Sequence, residues 1–78
     1  MGEWHVFADG EDRTEWERSD RFVRVVVRRT ATGEWAVTLD ALEQAPEGPA
    51  YERETRSTRA AATDRARAWR ERYAGGNG

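Results

Sequence analysis

Lysine, isoleucine and cysteine are all missing from this chain of 78 residues. Without cysteine no disulfide staples the core, and no thiolate serves as nucleophile or zinc ligand. Methionine and histidine occur once each, as Met1 and His5. One histidine with no cysteine and no spaced carboxylate pair beside it makes a poor metal site and a poor acid–base pair. Long apolar runs are lacking too. Val25-Val26-Val27 falls far short of the roughly 20 residues that a bilayer-spanning helix needs. The polar, acidic start Met1-Gly2-Glu3-Trp4-His5 does not read as a signal peptide, and Gly2 lacks the downstream serine or threonine that favours myristoylation. The expectation is a soluble, cytoplasmic protein that makes no membrane contact.

The missing lysine makes all thirteen cationic side chains arginine. That bias points to a GC-rich genome. Fifteen acids outweigh the arginines, so the net charge is −2. A generic nucleic-acid binder shows the opposite balance. Dense charge of both signs, 36 % of all residues, suits concentrated salt, where long-range fields are screened. A chain this short is one domain near the limit at which a single core holds a fold, and a second copy is the available help.

Catalytic patterns are thin. Asp9-Gly10-Glu11-Asp12 lacks the alternating ligand spacing of a calcium loop and reads as a solvated turn. Ser19 reads as part of a turn and Ser57 as a helix cap, so neither is assigned as a nucleophile. Gly75-Gly76-Asn77-Gly78 follows a helix and not a strand, unlike a phosphate loop. No catalytic residue, metal ligand or cofactor is assigned, and no enzymatic activity is expected.

Residues 1–20 read as an N-terminal arm with a short strand at about 3–7, anchored to the body by Trp16. Residues 21–74 form one α+β domain, and residues 75–78 a disordered tail. Within the domain, Val23, Val25 and Val27 alternate with Phe22, Arg24, Val26 and Arg28. Trp35, Val37 and Leu39 alternate with Glu34, Ala36, Thr38 and Asp40. A two-residue loop between these strands would set the valines against the wrong face. A three-residue loop, Ala31-Thr32-Gly33, pairs residue 27 with 37 and 25 with 39, and gives Gly33 the left-handed position. Arg24 then falls opposite Asp40. Residues 41–50 form a loop, and Tyr51–Arg56 a charged edge strand.

Ser57 or Thr58 caps a helix to about Tyr73, with Ala62, Ala66, Trp69 and Tyr73 on one stripe. The expected architecture is β-β-β-α: a three-stranded antiparallel sheet, or four-stranded if the arm joins it, with one C-terminal helix packed on one face.

Two resemblances bear on function. The β-β-β-α order and Ala66-Arg67-Ala68-Trp69 are similar to the arm-type DNA-binding domains of phage integrases, which implies nucleic-acid contact through Arg24, Arg28, Arg29 and Arg53. Glu34, Asp40, Glu52 and Glu54 on the same strands would repel phosphate, so ion pairing across strands is the favoured role of these arginines. Separately, Trp16-Glu17-Arg18-Ser19-Asp20, Gly33-Glu34-Trp35-Ala36-Val37, Leu42-Glu43-Gln44-Ala45-Pro46-Glu47-Gly48 and Tyr51-Glu52-Arg53-Glu54 resemble a family of small uncharacterised haloarchaeal proteins across residues 14–73. That family brings no activity and no site residues.

The leading functional expectation is a non-catalytic homodimer or protein-interaction module built on the open sheet face or edge. Trp16, Phe22 and Val26 stand at its contact and Arg24 and Arg28 at its rim. An alternative is that the Trp4/Trp16 arm folds back over that face. The other functional readings are the nucleic-acid-binding sheet and a small-ligand carrier with a pocket between the Leu42–Ala50 loop and Trp69.

Overall fold

The structure, a computed structural model, describes residues 3–74. Its elements are β1 (Trp4–Asp9), β2 (Arg13–Arg18), β3 (Val23–Arg29), β4 (Trp35–Ala41), β5 (Ala50–Arg56) and α1 (Arg59–Arg72). Each strand pairs antiparallel with the next, so sheet order equals chain order. The α+β class and the single C-terminal helix are as expected, but the sheet has five strands where three or four were anticipated. The expected arm supplies both extra strands. The tail at 75–78 and the first two residues lie outside the described residues.

The β3–β4 hairpin adopts the register that face parity requires. Val27 stands opposite Val37, Val25 opposite Leu39 and Arg24 opposite Asp40. Thr30 N–H donates to the Glu34 carbonyl at 2.7 Å and Gly33 N–H to the Thr30 carbonyl at 3.0 Å. Gly33 takes φ +90°, a conformation open to glycine at little steric cost.

α1 starts where Thr58 Oγ1 accepts a hydrogen bond from Ala61 N–H at 3.1 Å. The stripe of Ala62, Ala66, Trp69 and Tyr73 is buried against β3, β4 and β5. Alanine at two of these positions lets the helix approach the sheet closely. Trp69 then fills the space over Val23, Val25, Val37 and Leu39, all of them fully buried. Burying a tryptophan of this kind contributes on the order of 3 kcal/mol or more.

Polar side chains tie the helix to the two strands it does not cover. At its start, Arg59 donates to the carbonyls of Gly10 and Glu11 and to Thr14 Oγ1, at 2.8–2.9 Å. Near its end, Trp4 Nε1 donates to the Arg70 carbonyl at 3.1 Å. Arg70 in turn lies over the Trp16 ring, 4.3 Å from its centroid. Trp16 thus meets the helix from within a strand.

Arg18 is the most heavily used of these ties. Its side chain is 4 % exposed. Nη1 and Nη2 grip the two oxygens of Glu47 at 2.6 and 3.0 Å, Nε donates to Asp20 at 3.1 Å, and Nη1 also reaches the Tyr73 carbonyl at 2.7 Å. One guanidinium thus joins β2, the turn after it, the β4–β5 loop and the helix C-terminus. The hydrogen bonds that Arg18 donates to Glu47 outweigh burial and hold it above the usual arginine value, so it stays charged. The same bonds lower Glu47. Burial alone would raise Asp20, but Arg18 and the Phe22 N–H together bring it below its ordinary value.

Candidate functional site

α1 closes one face of the sheet. The other face is uncovered, because the arm extends the sheet sideways and does not fold back over it. Antiparallel pairing keeps opposed residues on one face, so the registers give the open face row by row. His5, Glu17, Arg24, Asp40 and Tyr51 form one row. Ala8, Glu15, Val26, Thr38 and Arg53 form the next, and Arg13, Arg28, Ala36 and Thr55 the third. Val26 is half-buried at the centre, and Ala36 is fully buried among longer neighbours.

The residues expected at a contact do not all share this face. Val26, Arg24 and Arg28 do. Trp16 does not: it pairs with Val25 on the helix side and lies beneath Arg70. This corrects its expected place, and the reason is parity within β2, where Thr14, Trp16 and Arg18 turn inward while Glu15 and Glu17 turn outward. Phe22 lies at the rim, lining a shallow cleft of about 160 Å³ with Glu17, Arg21, Arg24, Asp40 and Leu42. Trp69, expected to line a pocket with the Leu42–Ala50 loop, is fully buried and presents no surface to one.

Electrostatics on the open face are local. Arg24 faces Asp40 in register, yet its guanidinium turns to β2, meeting Glu17 at 3.0 Å and Glu15 at 4.0 Å. It also lies over the Phe7 ring at 4.8 Å. Arg13 pairs with Glu15. Arg28, Arg53 and Asp40 join none of the ion pairs among the described residues. Arg29 sits on the opposite face, 3.8 Å from Asp12. The four arginines considered for nucleic acid therefore do not form one patch, and three acids stand among those that share a face.

On the helix side of β5, Glu54 is held by Arg65 and Arg56, and the Arg65 hydrogen bonds lead in lowering its pKa. Burial lowers Arg70, with Arg67 adding to the effect. Both groups brace the helix. Among the described residues no three His, Asp or Glu side chains gather closely enough to hold a metal. Among the described residues no helix is long and apolar enough to cross a membrane.

Sequence reasoning overlooked Phe7 and Val6, which expose 58 % and 59 % of their surface on β1. The signal was present. Trp4-His5-Val6-Phe7-Ala8 is a stretch without acid or arginine in a chain where such residues are dense.

These features define a class: a five-stranded antiparallel meander closed on one face by a single helix, with a mixed-charge open face and a neutral edge. The chain belongs to a family of unknown function, DUF7543, whose model matches residues 2–72. No curated protein and no solved structure matches it.

Proposed function

We propose that this protein works by association and not by chemistry, as a non-catalytic module whose sheet is the contact element and whose partner is a second copy of itself. The observation that carries this reading is the uncovered sheet face, with Val26 at its centre and Phe22 at its rim. Arg28, Arg53 and Asp40 have no ion partner there among the described residues. A face bearing free charges of both signs around an apolar centre is suited to meet its own copy, where each charge finds an opposite one. Arg24 and Arg28 then frame the contact.

Nucleic-acid binding through Arg24, Arg28 and Arg53 draws less support, because Glu15, Glu17 and Asp40 lie beside them and repel phosphate. The dense arginine and acid content supports a salt-rich cytoplasm as the setting.

Sedimentation velocity over a wide concentration range, at low and high salt, tests the proposal. The expected outcome is a concentration-dependent dimer that persists in high salt. A strict monomer at every concentration would sink it. Retention of random-sequence DNA with a steep salt slope would favour the nucleic-acid reading instead.

A further inference from the structure

We propose that two copies join edge to edge through β1, with Val6 opposite Val6 about a two-fold axis, so that two five-stranded sheets run on as one. This rests on the reading above that the chain associates with its own copy, but it places the contact at the β1 edge of the sheet and not on the open face.

The two edges of the sheet differ in kind. β5 carries Glu52, Arg53, Glu54 and Arg56 along its length, the charge pattern by which proteins discourage pairing at an edge. β1 has no acid or arginine between Trp4 and Ala8, and it exposes Val6 on one face and Phe7 on the other. Its free backbone groups can be located. The Glu3 carbonyl accepts from Ser19 N–H at 2.8 Å, which makes Glu3–Ser19 a hydrogen-bonded pair of the ladder. Such pairs alternate, so His5–Glu17 is the next one, and Trp4 and Val6 turn their N–H and C=O away from the sheet.

A second copy fits this edge because the strand is its own complement. Antiparallel pairing about Val6 exchanges two hydrogen bonds between the Val6 backbones and sets Val6 side chains together on the helix side. On the open face it places His5 against Phe7 of the second copy, twice. No like charges meet. Glu3 and Asp9 would come opposite each other only across the register slip between Val6 and Ala8, where a bulge interrupts regular pairing. Trp4 is fixed to the Arg70 carbonyl at 3.1 Å, so the edge is presented already ordered, and pairing incurs little loss of backbone freedom. Among the described residues the helix lies over β3, β4 and β5 and not over this edge.

The test uses the full chain and three variants. Val6→Pro removes the outward N–H, which the monomer does not use, and proline is tolerated on an edge strand at such a position. Val6→Lys leaves the backbone intact and adds charge. Both are expected to keep the circular dichroism spectrum and to raise the dimer Kd, Val6→Pro by about thirtyfold through the loss of two backbone hydrogen bonds and Val6→Lys by setting two like charges together at the axis. Amide exchange at Val6 in the unmodified chain should slow as concentration rises. Dimers that persist in both Val6 variants but dissociate in Val26→Glu would overturn the edge and leave association standing. A monomeric parent chain would overturn both.

Discussion

Arg18 shows what arginine supplies that lysine would not. Its planar fork binds both oxygens of Glu47, reaches Asp20 through Nε and still donates to the Tyr73 carbonyl. An ammonium group has the charge but not the geometry for three acceptor groups in fixed directions. Removing one partner of a buried ion pair costs about 3–5 kcal/mol. Glu47 and Asp20 are each about one-third exposed and can rehydrate, which places Arg18→Ala near the low end, at about 3 kcal/mol. Arg18→Lys should recover less than half of that loss. Urea unfolding followed by tryptophan fluorescence measures both, and an equal midpoint for Lys and Arg would show that charge alone suffices. This role was not legible in the sequence. A lone arginine between Glu17 and Ser19 looks solvated until the loop after β4 brings Glu47 to it, and that loop closes only in the folded chain.

Among the elements, the β3–β4 hairpin was the most legible, because its two apolar rows admit one loop length. Its test is local. A Cβ added at Gly33 meets nothing within 4 Å, so Gly33→Ala carries only the backbone penalty of a left-handed residue, about 1 kcal/mol. Thermal melting should show that loss with the fold retained. A larger loss would mean that the loop does more than turn the chain. The helix was equally clear from its alanine and tryptophan spacing and its threonine cap. β2 was not. Its inward row is Thr14, Trp16 and Arg18, and its outward row is charged, so no apolar alternation marks it. The strand is held by Arg59 at Thr14, by Arg70 at Trp16 and by the clasp at Arg18. The same inversion moved Trp16 from the expected contact to the helix side, while Val26, Arg24 and Arg28 kept the face that hairpin parity gave them.

Across the whole molecule, the depressed carboxylates set a direction for acid stability. Glu47 and Glu54 are lowered chiefly by arginine hydrogen bonds, and Asp20 is lowered despite its burial. A group with a folded pKa below its unfolded one stabilises the fold above the unfolded value, and that stability is lost as pH falls through the folded value. The melting temperature should therefore be flat above about pH 5 and fall below about pH 4, where free carboxylates begin to protonate. Glu47→Gln should lower the plateau and flatten the acid limb. A melting temperature indifferent to pH down to about 3 would contradict this account.

Because sheet order equals chain order, each strand can zip onto its predecessor as soon as it leaves the ribosome. Such local pairing favours rapid folding. The helix follows all five strands, so a sheet that pairs before α1 docks leaves Val23, Val25, Val27, Val37 and Leu39 without the cover that Trp69 gives them. Until the helix docks, the chain shows water an assembled but oily sheet, the kind of surface that chaperones recognise and that aggregates. Docking of the helix is thus the step that decides between a closed fold and a sticky one.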